Sequence, residues 1–303
     1  MVVSARQAAI HLGLFVACCA TTAWSGGAYF GATLMGILLC HELGHYVIAR
    51  RRGVDVSLPY FIPVPPVITL GTLGAVIRMR RPIADRNTLF DVGAAGPVAG
   101  LVVAIPLLVV GLTLSKLGVT KPDDMIEGNS ILYALLKYAV FGRWLPADGV
   151  DVDLHPMAFA GWVGLLITMI NLMPIGQLDG GHVARAALGD AHESWSRRLH
   201  VALALLGVGV GIAMFHTAID AGHPPWSTKV DGKPVIGAIS YALSGALPWL
   251  VWTAMLGWMR WQTGEYHPPV GEVPLDARRR RYAIAMLLIF FLIATPVPFR
   301  PAL

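Results

Sequence analysis

Tyr29-Phe-Gly-Ala-Thr-Leu-Met-Gly-Ile-Leu-Leu-Cys40-His41-Glu42-Leu43-Gly44-His45 joins an uncharged apolar run to a histidine–glutamate–x–x–histidine pattern. In a helix, residues four apart lie on one face, so both imidazoles can grip a single zinc ion. Glu42 stands next to that face, where a carboxylate can take a proton from water activated by the metal. Soluble metal sites of this type sit on an amphipathic helix beside a cleft. Here the preceding run is apolar on every face, which puts the metal site inside a membrane.

Composition agrees. Hydrophobic residues make up 55% of the 303 and charged residues only 14%, with a mean hydropathy of +0.63. Soluble domains carry about 25% charged residues, so a soluble enzyme with a large core is excluded. The sequence predicts an all-α polytopic membrane protein, a single domain over residues 1–303. It would have six to seven transmembrane helices and a short membrane-associated β segment near the zinc site. The predicted spans are 7–24, 28–49, 88–114, 156–178, 199–219, 238–259 and 282–298. Gly96-Pro97 predicts a kink or break in the third. Residues 131–141 are apolar but short and contain Lys137, which suits an interfacial helix.

Of the 23 basic residues, sixteen fall on one side if the N-terminus is cytoplasmic: Arg6, residues 50–52, Arg78, Arg80, Arg81, Arg86, Arg185, Arg197, Arg198, Arg260 and residues 278–281. Lys116, Lys121, Lys137, Arg143, Lys229, Lys233 and Arg300 fall on the other. This bias orients the N-terminus inward and brings the histidine motif near the cytoplasmic face. The net charge of +5 is then a topology signal and gives no reason to expect nucleic acid. Residues 1–24, with Arg6 and Ala20-Thr-Thr-Ala23, also fit a cleavable signal peptide. Cys18, Cys19 and Cys40 form no C-x-x-C pair.

Two histidines leave zinc short of ligands. Asn171-Leu-Met-Pro-Ile-Gly-Gln-Leu-Asp-Gly-Gly-His182, at the end of the fourth span, supplies Asp179 at about the depth of His41 and His45. Pro174 breaks the helix there, and broken backbone at that depth must be packed in protein or line a wet cavity. His182 follows Asp179 by three residues and suits either the metal or a supporting role. His11, His200 and His216, in or beside apolar spans, read as packing or interfacial residues. Glu193 and Glu265 read as loop residues, which leaves no downstream helix-borne glutamate as a third ligand.

These paired motifs resemble the site-2 protease family of intramembrane zinc metalloproteases. Gly71-Thr-Leu-Gly-Ala75 is similar to the family's β segment, and Gly96-Pro97-Val-Ala-Gly100 to the small-residue motif of its central helix. The closing His267-Pro-Pro and Pro274-Leu-Asp stretch, followed by a helix ending in Thr-Pro-Val-Pro298, resembles a bacterial branch without a PDZ or other large soluble insertion. The resemblance implies His41, His45 and Asp179 as Zn2+ ligands, Glu42 as general base, and Asn171 near the scissile bond as a candidate oxyanion donor. It further implies a zinc metalloendopeptidase of a bacterial inner membrane. Its substrate would be a membrane protein, a single-span regulator cut in regulated intramembrane proteolysis, with a possible regulatory membrane partner. A non-proteolytic zinc-binding membrane protein and a transporter are the alternatives. No inverted repeat supports a transporter, and the polar motifs cluster at one face.

Between residues 52 and 86 the helical pattern lapses. Leu58-Pro-Tyr-Phe-Ile-Pro-Val-Pro-Pro66 cannot be a regular helix. Residues 67–78 are β-branched and punctuated by glycine, fitting a short strand or hairpin whose edge could pair with an unwound substrate.

Overall fold

The computed structural model describes residues 4–302 apart from positions 68, 81, 84, 122, 123, 231 and 232. Arg81 of the basic set and residue 68 of the β-like stretch fall outside them.

Helix α1 runs Ala5–Arg51, and its Ser4 and Gln7 side chains cap each other's backbone N–H groups. A straight helix of 47 residues would exceed twice the hydrocarbon thickness of about 30 Å. Gly27 prevents that: at φ 85° and ψ 173° it leaves the helical path, a conformation open to glycine and strained for other residues. The arms fold back on each other. A Cβ on Gly31 would press on the Ala23 backbone, and Gln7 and His11 share a cleft with Tyr46 and Arg50. The spans expected at 7–24 and 28–49 lie in these two arms.

Helix α2, Arg86–Thr113, starts at Asp85, whose carboxylate accepts from the Thr88 hydroxyl and from the Asn87 and Thr88 N–H groups. These bonds, the hydroxyl first, hold the Asp85 carboxyl below its usual range. Of the kink or break expected at Gly96-Pro97, the break is absent, and α2 continues through Pro97 and Pro106. Proline already has a helical φ, and the ladder bond lost at each is offset in a helix packed closely against its neighbours. Small residues set those packings, as membrane helices require. A Cβ on Gly161 would lie 2.8 Å from Leu108, and one on Gly164 would lie 3.0 Å from Ile37.

Helix α3 is Ile131–Phe141 and α4 is Pro156–Asn171. The fourth span was expected to reach 178, but α4 stops at Asn171. Pro174 cannot continue it, and the chain turns through 172–178 before α5, Asp179–Leu188. Helix α6 is Ala191–Asp220, longer than the expected 199–219, so Glu193 stands in its first turn and not in a loop. Helix α7 is Ala238–Thr263, and α8 is Ala277–Ile293, starting and ending five residues before the expected span at 282–298. By length and hydropathy α1, α2, α6 and α7 can each cross a membrane, while α3 and α4 are shorter apolar helices. Their outward faces carry large apolar side chains, such as Leu12, Val102, Leu205, Ile212 and Val251. In water such a surface would drive association, whereas lipid covers it at no cost.

Four two-stranded antiparallel sheets complete the described residues. Tyr60–Pro63 (β1) pairs with Thr72–Val76 (β2), so the first strand comes from the proline-rich stretch. Lys116–Val119 (β3) pairs with Val150–Asp153 (β5), Met125–Glu127 (β4) with Phe299–Pro301 (β8), and Thr228–Val230 (β6) with Lys233–Val235 (β7). The sheet β1–β2 packs on the first arm of α1, where His11 meets the Pro59 carbonyl at 2.9 Å and Thr21 donates to the Gly71 carbonyl at 2.6 Å.

Charged contacts separate into two groups. At one end Asp91 of α2 receives both Arg52, which caps the end of α1, and Arg279 of α8. At the other, Lys137 of α3 is fully buried, 3.0 Å from Asp151 and 3.7 Å from Glu127, with Tyr133 donating to Glu127 at 2.9 Å. Burial pushes the Glu127 carboxyl up from its ordinary value, and the Lys137 ammonium opposes the rise. Removing one partner of a buried ion pair leaves an uncompensated charge and costs about 3–5 kcal/mol. Lys137→Met should therefore lower stability by about that amount. Thermal unfolding in detergent tests this, and an unchanged midpoint would contradict it.

Candidate metal centre

The second arm of α1 presents His41 and His45 one turn apart, and the glycine face of α2 receives them. A Cβ on Gly96 would occupy the His45 ring, and one on Gly100 would lie 3.2 Å from His41 Nδ1. Gly44 likewise lets α1 approach the Ala95 carbonyl of α2. The His45 Nδ1–H donates to the Val92 carbonyl at 2.7 Å, which fixes the tautomer and leaves Nε2 with a free lone pair.

Asp179 arrives from the start of α5, where unsatisfied N–H groups favour a carboxylate. The turn delivering it is tight. A Cβ on Gly180 would clash with the Leu172 carbonyl, and one on Gly181 with the Gly176 carbonyl. The two glycines after Asp179 therefore let α5 start directly against the broken end of α4.

Three atoms meet. His41 Nε2, His45 Nε2 and Asp179 Oδ2 are each 3.2 Å from the other two. Zinc ligands at about 2.0–2.1 Å in a tetrahedron are separated by roughly 3.3–3.4 Å. The triangle thus matches one face of a zinc tetrahedron, and among the described residues no fourth His, Cys, Asp or Glu joins it. Three lone pairs converging on one point repel one another unless a cation lies between them, so the donor set fits zinc. His182 is not in this group; its Nδ1 lies 2.7 Å from His267 Nε2.

The other expected site residues are close by. Asn171, the last residue of α4, places its Nδ2 3.4 Å from His41 Nε2. Glu42 is 7% exposed, and its carboxylate makes no hydrogen bond or ion pair among the described residues. Of the remaining histidines, His11 packs on Tyr60, and His200 bridges the Tyr266 hydroxyl and the Thr253 carbonyl. Sequence reasoning missed the His182–His267 pair, because 85 residues separate its members and no local pattern links them. It also missed Asp91 as the partner of two arginines.

Comparison with known proteins agrees with this geometry. The family model described as Peptidase family M50 matches residues 29–215. A protein named "Probable zinc metalloprotease EGY1, chloroplastic" from Arabidopsis thaliana is 37% identical over 191 residues, covering 60% of this chain and 33% of its own. The protein of the same name from Oryza sativa subsp. japonica is 36% identical over 184 residues, covering 58% and 30%. "Probable zinc metalloprotease EGY2, chloroplastic" from Arabidopsis thaliana is 33% identical over 185 residues, covering 60% and 32%. The chain spans about a third of the length of these relatives. No solved structure matches it. With the family model covering residues 29–215 and both halves of the donor set within them, the chain belongs to peptidase family M50, the site-2 protease family of zinc metalloproteases.

Proposed function

We propose that the protein is an intramembrane endopeptidase that cuts a substrate's transmembrane helix in its cytoplasmic half. The observation that carries this reading is the buried Glu42 carboxylate, which makes no hydrogen bond or ion pair among the described residues, next to a triangle of donors sized for zinc. A structural metal site is closed by four protein ligands, whereas a catalytic one keeps a corner for water or substrate.

His41, His45 and Asp179 would hold the zinc, which would supply Lewis acidity to a bound water and to the scissile carbonyl. Glu42 accepts a proton from the attacking water as its oxygen bonds to the carbonyl carbon. As the C–N bond breaks, Glu42 returns that proton to the leaving amine. The Asn171 amide, at the rim of the triangle, donates to the carbonyl oxygen as negative charge develops there. A helical peptide bond is shielded, so the substrate must unwind. The β1–β2 sheet offers a strand edge that an extended segment can join.

The orientation rests on the charged end. Arg52, Asp91 and Arg279 lie there, only a few turns from His45, and an arginine-rich end is expected on the cytoplasmic side. We extend the reading to a bacterial inner membrane and to a single-span regulator already trimmed by another protease.

Glu42→Gln should keep zinc while cleavage falls by roughly 10²–10⁴ or more. Zinc retained with near-normal cleavage of a transmembrane substrate would overturn the base role; a wild-type protein that binds zinc and cuts nothing would favour a non-proteolytic zinc protein. Asp179→Ala should lose zinc and activity together, and full metal occupancy in that variant would remove Asp179 from the ligand set. Replacing Gly, Pro or Asn in the substrate's cytoplasmic half by Leu and Ala should slow cleavage, because the helix then unwinds less readily. Mass spectrometry of the products locates the cut, and cuts in the outer half would contradict the orientation.

A further inference from the structure

Helix α5 is ten residues long, and its N-cap Leu178 provides no side-chain hydrogen bond. Helices shorter than about 12–15 residues are marginal without tertiary support. Since Asp179 is its first residue, whatever holds α5 also sets where Asp179 Oδ2 stands against the two imidazoles. One support is α2. A Cβ on Gly93 would come within 2.8 Å of His182 Cβ and 3.1 Å of the Asp179 carbonyl oxygen.

The other support is the segment 264–276 between α7 and α8, which crosses this end of the molecule and is fastened at several points. The Tyr266 N–H donates to Glu193 of α6 at 2.9 Å. Arg86 Nε of α2 donates to the Gly271 carbonyl at 2.8 Å, and the Asp276 N–H donates to Asn87 Oδ1 at 3.2 Å. His267, 5% exposed, meets α5 through His182.

Chemistry decides the direction of that bond. His267 Nδ1 lies 2.8 Å from the Pro268 carbonyl oxygen, which can only accept, so Nδ1 carries the proton. In the neutral ring Nε2 is then an acceptor, and His182 Nδ1–H donates to it. Burial pushes the His267 imidazole below its ordinary pKa, consistent with a neutral ring. The segment thus holds α5 by a directed bond one turn after Asp179.

We propose that His267 is a positioning residue for the metal centre: by accepting the His182 Nδ1–H it fixes the first turn of α5 and holds Asp179 at ligand distance from His41 and His45. This rests on the reading of Asp179 as a ligand, and the test separates the two.

The test measures zinc affinity by chelator competition, and the visible spectrum after Co2+ substitution, on the full chain in detergent. His267→Ala and His182→Ala should each weaken zinc roughly tenfold or more and shift the Co2+ bands. The double variant should be no weaker than either single one, because both remove the same bond. His267→Gln should recover most of the affinity and the wild-type spectrum, since an amide oxygen can accept the same proton. Wild-type affinity and spectrum in His267→Ala, additive losses in the double variant, or no recovery with Gln would each overturn the proposal. Asp179→Ala serves as the control. If it keeps wild-type affinity, the ligand reading fails and the inference falls with it. If it loses zinc while His267→Ala does not, the inference alone fails.

Discussion

The packing of two imidazole rings against a glycine face is the constraint on which the site depends. Between membrane helices there is little hydrophobic drive, because lipid is as apolar as the partner helix. Close contact must come from shape, and α2 supplies it through Gly93, Gly96 and Gly100. Each opens a different part of the centre, Gly96 receiving His45, Gly100 receiving His41 and Gly93 receiving α5. The same approach brings the Val92 carbonyl to His45 Nδ1, so one helix face both houses the rings and sets which nitrogen faces His41 and Asp179.

Polar groups elsewhere are segregated, and the segregation serves the same helix. The Arg52–Asp91–Arg279 contacts clasp α1 and α8 to the start of α2. The Lys137 cluster ties α3 to strands β4 and β5 beyond its far end. Between them α2 is uncharged and apolar, with small residues where its neighbours approach most closely.

Helix α6 packs chiefly against α7, and the residues matched by the family model end at 215. The segment 264–276 and α8 therefore lie outside the matched region yet reach back to α2, α5 and α6. The segment thus contacts the helix that begins with Asp179.

Residue order alone was enough to identify the membrane setting, the HELGH helix and the LDGG turn, because apolar run length and i, i+4 spacing are local properties. It also indicated that His41, His45, Glu42, Asn171 and Asp179 belong together, through paired motifs that resemble a known family. It misplaced the end of the fourth helix by seven residues, where Pro174 acts from a distance of three, and of the kink or break it anticipated at Pro97 the helix shows no break. Only the tertiary structure decided that Gly27 folds one long helix into two arms, that the three donor atoms stand 3.2 Å apart, and that His182 turns to His267. Those features depend on contacts between segments tens of residues apart, and no local pattern encodes which of several apolar helices will meet, or at what separation.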